Sequence, residues 1–189
     1  MLRTSLLAAI AGAILLNPHA VPAASAEIQK YMRACDKRMC AYFRASVTIP
    51  DGWVEDKAAS REFDALMLLP QGKDFEHAQA KIYVAIRYNP KKQPVESFVL
   101  DAHAQLRDAA KDGRFTLLPD LTRADGKPSY IRYSFEAPSL KEQGYETQAV
   151  TRDGDKDGND FIVTIVLTAN SRSAFKAAEP AYLSILSKY

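Results

Sequence analysis

Acidic and amide side chains recur at alternate positions in one short stretch of the chain. Asp153, Asp155 and Asp157 are followed by Gly158 and Asn159. This spacing matches the first half of an EF-hand-type loop, in which oxygen ligands converge on Ca²⁺ and the glycine at position 6 permits a sharp turn. The sequence therefore predicts a candidate calcium site, with these three aspartates and Asn159 as its ligands and calcium as the cofactor.

The second half of the loop departs from this pattern. Position 12 is Thr164 instead of the bidentate glutamate, although Asp160 could add a ligand. The flanking stretches, 144–152 and 161–169, have the composition of strands and not of helices. The alternative is a polar hairpin tip, in which Asp, Asn and Gly supply turn conformations. The sequence favours this alternative, and then no cofactor is expected.

Histidines offer little further chemistry. Beyond the N-terminal segment the chain has His77 and His103, and Asp101 lies two residues from His103, which puts it on another helical face. The sequence has no Gly-x-Ser-x-Gly, His-Glu-x-x-His or phosphate-binding glycine motif. We therefore expect no catalytic residues, and an unrecognised hydrolase that uses one of these histidines is only a third hypothesis.

The two cysteines, Cys35 and Cys40, are five positions apart. In an exported protein such a pair predicts a disulfide, which on the chain-entropy model would contribute about 2 kcal/mol at most across so small a loop. The alternatives are a redox pair and a metal site. The spacing differs from the Cys-x-x-Cys redox motif, and no histidine lies nearby to complete a metal site.

The N-terminus has the pattern of a secretory signal peptide. Arg3 precedes an uncharged apolar run, Leu6–Leu16, and Ala24-Ser-Ala26 ends the segment with an Ala-x-Ala site. The apolar run is shorter than the about 20 residues that cross a bilayer. We expect cleavage after Ala26, a periplasmic or secreted mature protein, and no membrane span after cleavage.

Net charge argues against nucleic acid as a partner. The whole chain has 25 Lys and Arg against 23 Asp and Glu, so removal of Arg3 leaves 24 against 23. Because basic and acidic residues are also interspersed, no electrostatic footprint for a polyanion is present.

The mature chain has the pattern of one α+β domain. Residues 27–41 form a predicted lead-in that carries the disulfide, and residues 42–189 a single globular domain. Strand-like stretches are 42–49, 63–69, 80–88, 129–135, 144–152 and 161–169, and helix-like stretches are 94–110 and 173–188. Pro180 predicts a kink, or a break of the last helix into two pieces. An antiparallel sheet with helices packed on it is expected, and helices on both faces would make a three-layer α/β/α sandwich.

Several short, non-catalytic motifs follow one another along the chain in the order typical of a known family. They are Ile49-Pro-Asp-Gly-Trp53, a helix that contains Phe98, the run 162–169, and Phe175 followed by a Pro180-x-Tyr182-x-x-Ile185-Leu186 helix. This pattern resembles the PsbP/Mog-type sandwich, in particular small periplasmic proteins of the DcrB-like kind, over most of residues 42–189. The disulfide-capable N-terminal extension and the missing lipoprotein cysteine depart from it.

The resemblance implies a function through protein contacts, with no shared active site to carry over. We therefore expect an exported non-enzymatic interaction domain of the bacterial cell envelope, of the immunity- or assembly-factor kind, with a protein partner. The second hypothesis is a calcium-binding envelope protein. Candidate interface residues are Tyr83, Arg87, Tyr130 and Arg132, which with Tyr133 could line one exposed sheet face, because aromatic and arginine side chains suit protein interfaces. Trp53, which follows a turn, is a further candidate as a binding anchor. The alternatives are cross-strand packing for the tyrosine and arginine set and a core role for Trp53.

Overall fold

A computed structural model describes residues 27–123, 126 and 129–189. The predicted signal peptide, residues 1–26, lies outside the described residues. The strands and helices, in chain order, are β1 Ile28–Cys35, β2 Arg38–Ala45, β3 Trp53–Glu55, α1 Lys57–Glu62, β4 Leu66–Pro70, β5 Ala80–Tyr88, α2 Val95–Ala109, β6 Arg114–Leu121, β7 Tyr130–Glu136, β8 Tyr145–Gly154, β9 Asp160–Ala169 and α3 Arg172–Lys188.

Seven strands form one antiparallel sheet, in the order β3-β4-β5-β9-β8-β7-β6. Its centre is the long β8–β9 hairpin, which pairs from Tyr145 opposite Ala169 to Gly154 opposite Asp160. The hairpin predicted from the strand-like stretches 144–152 and 161–169 is thus confirmed. Strand β9 is buried along nearly its whole length because it has a paired strand on each side and side chains packed on both faces.

The predicted three-layer α/β/α sandwich is wrong. The described residues form two sheets with nine strands, whereas the three helices have only 6, 15 and 17 residues. Strands β1 and β2 form the second sheet, a two-stranded ribbon that covers part of the large sheet beside α3. Residues 28–45 are therefore a continuous hairpin, where the sequence predicted a lead-in followed by the first strand of the main domain.

One face of the large sheet, here called the α3 face, packs against the ribbon and α3. Apolar side chains alternate along the strands, so that Ile82, Val84 and Ile165 point to this side, and Tyr182 and Ile185 cover them from α3. Burial of each such aliphatic side chain contributes roughly 1.5–3 kcal/mol. This cluster is the main hydrophobic core.

Helix α3 is one continuous helix, although the sequence predicted a kink or a break at Pro180. The Ser171 hydroxyl accepts a hydrogen bond from the Ala174 amide and caps the helix start, and Pro180 lies inside the helix with its side chain exposed. The buried residues on either side of the proline, Ala178 and Tyr182, hold both halves of the helix on the sheet.

The opposite face, here called the α1–α2 face, is covered in two separate places. Val99 of α2 packs on Tyr133, Val150 and Ile162, while α1 places Ala59 in a smaller cluster over β4. The predicted strand 63–69 begins only at Leu66, because the residues before it form α1 and its C-terminal turn. Between the two helices, a stretch of the sheet has neither helix above it.

Candidate functional site

The first predicted calcium ligand, Asp153, points into the α3 face and not toward the hairpin tip. Its Oδ2 accepts hydrogen bonds from Arg123 Nη2 at 2.9 Å and from the Tyr189 hydroxyl at 3.0 Å. Both members of the Arg123–Asp153 ion pair are buried. The carboxylate is therefore already neutralised inside the protein.

Asp155 closes the hairpin tip. Its Oδ1 accepts from the amides of Asp157 and Asn159 at 3.0 and 2.9 Å, and its Oδ2 accepts from Asn159 Nδ2 at 2.8 Å. The bond from the Asn159 side chain is the main cause that lowers the pKa of Asp155. Gly158 supplies the positive φ of 79° that the turn requires. The geometry is that of a tight Asx-type turn.

Around the tip, the remaining polar groups do not converge on one point. Asp157 is exposed, and Asp160 accepts from Arg152 Nε at 2.5 Å and from Asn89 Nδ2 at 2.8 Å. Across the part of the chain that the structure describes, no three His, Cys, Asp or Glu side chains group as metal ligands. The calcium site stays a sequence prediction, and protein donors already bind the carboxylates of two of its four proposed ligands, Asp153 and Asp155.

The predicted interface residues do not share one surface. Tyr83, Arg87 and Tyr133 lie on the α1–α2 face, whereas Tyr130 and Arg132 lie on the α3 face, since the β7 register alternates. Tyr130 is fully buried in the main core.

Trp53 is half-buried against the same core. It stands opposite Pro70 in the β3–β4 pair. This position at the sheet edge matches the core role that the sequence left open for Trp53.

The two histidines lie in different environments. His77 is exposed, and its Nδ1 lies 2.7 Å from Asp74 Oδ1, which also accepts from the His77 amide at 2.9 Å. The His103 ring packs on Phe115 and Tyr133, with ring centroids at 4.4 and 4.3 Å. Burial, and then the charge of Arg107, lower the pKa of His103. Neither histidine contacts a nucleophile and an orienting acid in the arrangement of a catalytic triad.

A chain of buried polar side chains crosses the α1–α2 face, which the sequence analysis missed. The Tyr133 hydroxyl donates to Gln148 Oε1, and Gln148 Nε2 donates to Glu146 Oε1 at 2.5 Å. Burial raises the pKa of Glu146 to about 7. Burial, and then the charge of Glu146, raise the pKa of the neighbouring Tyr83. The available signal was the placement of Glu146 and Gln148 two residues apart, and therefore on one face, in the predicted strand 144–152.

A pocket of about 260 Å³ opens beside this polar chain, over the part of the sheet between α1 and α2. Its main lining side chains are Phe63, Met67, Phe75, Lys81, Tyr83 and Thr168. Register places Lys81 opposite Thr168, and Thr168 opposite Glu146, so these three residues form one row across three strands. None of the lining residues was predicted as a pocket residue, and Tyr83 was predicted as part of a protein interface.

The β1–β2 ribbon carries the predicted disulfide. Cys35 and Cys40 are bonded across the turn, with their Cα atoms 5.8 Å apart. At the other end of the ribbon, Ile28 and Ala45 are buried in the main core. The disulfide thus closes the end that is farthest from the core.

One face of the ribbon is buried at its base and exposed toward its turn. Ile28 and Phe43 pack against the large sheet, and further along the same face Met32 and Met39 are 53% and 59% exposed. Ala34 and Ala41 are exposed beside them. We call Met32, Ala34, Met39 and Ala41 the ribbon patch.

Within the described residues, no helix combines the length and the apolar character that a membrane crossing requires. No protein-family model matches the chain, and no curated protein matches it as a relative.

Proposed function

We propose that this chain is an exported, non-catalytic interaction domain of the bacterial cell envelope, which binds a protein partner through the ribbon patch. The observation that carries the proposal is the exposure of Met32 and Met39 on a ribbon whose base is fixed in the core. Exposed apolar side chains grouped on one face are typical of protein contact sites, and the flexible thioether of methionine adapts to varied partner surfaces.

Charge on the ribbon defines the partner further. The ribbon and its turn contain five basic side chains and one acidic side chain, namely Lys30, Arg33, Lys37, Arg38 and Arg44 against Asp36. Lys30 lies on the same face as the ribbon patch and Lys37 lies in the turn beside it, whereas Arg33, Arg38 and Arg44 lie on the other face of the ribbon. On that face Arg44 pairs with Glu55 and Arg33 donates to the Arg61 carbonyl. We therefore expect a partner with an apolar centre and an acidic rim, whose charge would accelerate association and make the contact sensitive to salt.

The disulfide supports the location of this protein in an oxidising compartment. A disulfide between Cys35 and Cys40 closes the ribbon turn, and such bonds persist mainly outside the cytoplasm. The N-terminal signal-peptide pattern predicts the same location. The resemblance to DcrB-like proteins implies the same kind of non-catalytic function.

Site-specific photo-cross-linking in cells tests this proposal. A photoreactive residue at Met39 should give a discrete adduct with one protein, whereas the same residue at Leu100, which is 65% exposed on α2, should give none. Met32→Ser should abolish the adduct, and Lys37→Glu should weaken it, most visibly at low salt. Equal adduct patterns at both positions, or an adduct at Met39 that Met32→Ser leaves unchanged, would contradict the proposal.

A further inference from the structure

The pocket on the α1–α2 face has aromatic walls that the local backbone holds in place. The Phe63 and Phe75 rings stack with centroids 5.2 Å apart, and Phe63 remains 50% exposed. Phe63 ends α1, where Asp64 takes a positive φ of 50°, and the Asp74 carboxylate fixes the loop that carries Phe75 through its bonds to His77. Two independent turns therefore position this aromatic pair over the pocket.

The pocket floor contains a buried hydroxyl that lacks a partner. Thr168 is 5% exposed, lines the pocket, and its Oγ1 makes no hydrogen bond to any residue that the structure describes. Buried polar side-chain atoms are nearly always hydrogen-bonded. The Oγ1 atom is itself buried, so the Thr168 side chain must rotate before this hydroxyl can donate to an acceptor that enters the pocket.

The charge at the pocket wall is positive. Lys81, which stands opposite Thr168 on β5, lines the pocket, and its Nζ lies 4.4 Å from the centre of the Phe75 ring. Glu146, on the other side of Thr168, is turned toward Gln148 and is not among the pocket-lining residues. An entering group therefore meets the ammonium of Lys81 and the hydroxyl of Thr168 before it meets a carboxylate.

We propose that this pocket binds a small organic monocarboxylate with an aromatic or apolar body. The carboxylate accepts from Thr168 and pairs with Lys81, while the body lies against Phe63 and the neighbouring Met67 and Tyr83. The volume of about 260 Å³ lies near the lower end of the roughly 300–1,000 Å³ of small-molecule sites and suits a ligand of the size of a substituted phenyl ring. The pocket and the ribbon lie on opposite faces of the large sheet, so this inference goes beyond the proposed protein contact and does not depend on it.

NMR titration of the ¹⁵N-labelled purified protein tests the inference with four probes. They are 3-phenylpropionate, its neutral analogue 3-phenylpropanol, the cation 2-phenylethylammonium, and acetate, which lacks the apolar body. We expect 3-phenylpropionate to shift the amides of Phe75, Lys81 and Thr168 with saturation, and to bind at least about tenfold more tightly than the other three. Equal binding of the neutral analogue, shifts confined to another region, or no saturable shift up to about 10 mM would overturn the inference.

Matched variants locate the interaction. Thr168→Val removes the hydroxyl while it keeps the shape, and should weaken 3-phenylpropionate roughly tenfold; Lys81→Met should weaken it roughly threefold, because that charge is partly solvated. Thr164→Val, on the same strand and sheet face but outside the pocket, should leave binding unchanged. Unchanged binding by a folded Thr168→Val protein would overturn the inference, and if that variant fails to fold, unchanged binding by Lys81→Met would do so.

Discussion

The two faces of the large sheet are built on different principles. On the α3 face, apolar side chains from five strands and α3 fill one continuous core, and the buried Arg123–Asp153 pair is hydrogen-bonded on both sides. On the α1–α2 face, the apolar clusters are smaller and separate. Glu146 is buried with a raised pKa there, and Thr168 has a buried hydroxyl without a partner among the described residues.

This difference indicates that the α3 face mainly stabilises the protein, whereas the α1–α2 face is the one suited to binding. The α3 face has the most extensive apolar burial and pairs the buried charges of Arg123 and Asp153, although the buried Tyr182 hydroxyl on this face also has no hydrogen-bond partner among the described residues. The α1–α2 face keeps groups whose burial costs free energy, and such groups occur most often at binding sites. We therefore expect mutations on the α3 face to cost more stability than mutations on the α1–α2 face.

The largest effect is expected at the buried ion pair of the α3 face. Asp153→Ala leaves the Arg123 guanidinium buried without its carboxylate and should lower the free energy of unfolding by about 3–5 kcal/mol. Asp157→Ala, an exposed aspartate of the same hairpin, is the control and should have little effect. Urea denaturation of both variants measures the difference, and a loss below about 1 kcal/mol for Asp153→Ala would show that the pair does not hold this face together.

The apolar core should be the next most sensitive place. Leu167 is fully buried on the α3 face, and Leu167→Ala should cost about 2–5 kcal/mol because the surrounding side chains cannot fill the cavity. Val166→Ala, one residue earlier and on the other face between Tyr83 and Gln148, should cost less. Thermal or urea unfolding measures both losses, and, because Val→Ala removes one carbon fewer than Leu→Ala, a loss for Val166→Ala as large as that for Leu167→Ala would contradict the comparison.

The burial of Glu146 should appear in the pH dependence of stability. Its pKa of about 7 in the folded protein lies above its ordinary value of 4.5, so the folded state binds more protons than the unfolded state between these two values. The stability contribution of Glu146 is therefore largest at acidic pH and falls as pH rises through about 7, by about 3 kcal/mol in all. Glu146→Gln should remove this fall and be the more stable protein at pH 8.

The comparison with Glu146→Gln isolates this one group. The neighbouring side chains Tyr83 and Tyr133 do not titrate in this window, since burial raises their pKa further. His103, which packs on Tyr133, titrates at acidic pH in both proteins and cancels in the difference. A difference between the two unfolding curves that does not change from pH 5 to pH 8 would contradict the assignment.

The central hairpin and the disulfide could be predicted from the sequence, because both depend on local patterns. The run 161–169 is apolar almost without interruption, which is typical of a central strand, and two close cysteines in an exported chain predict a bond. The ribbon strand Ile28–Cys35 was missed because most of its side chains are exposed whether they are polar or apolar, so it lacks the alternation that marks a half-buried strand. Helix α1 was missed because its six residues make fewer than two helical turns, which is too few to show a helical period in the sequence.

The candidate site could not be predicted, because it depends on register between distant strands. Lys81, Thr168 and Glu146 are far apart in the chain and form one row only after β5, β9 and β8 pair. Alternation within one strand also does not show which face it shares with another strand, so it could not predict that Tyr83 and Tyr130 lie on opposite faces of the sheet. Conversely, the Asp153–Asp160 spacing suggested a metal loop, whereas in the structure Asp153 faces the core and Asp155 closes a turn.

The most direct test of this account is to measure stability and ligand affinity in the same Thr168→Val protein. Removal of an unpartnered buried hydroxyl should leave the free energy of unfolding unchanged or raise it by up to about 1 kcal/mol, while 3-phenylpropionate binding weakens roughly tenfold. A protein that is as stable as the original or more so, but that binds 3-phenylpropionate more weakly, would place the Thr168 hydroxyl in a ligand site. A loss of more than about 1 kcal/mol in stability with unchanged binding would instead make Thr168 a structural residue and contradict the account.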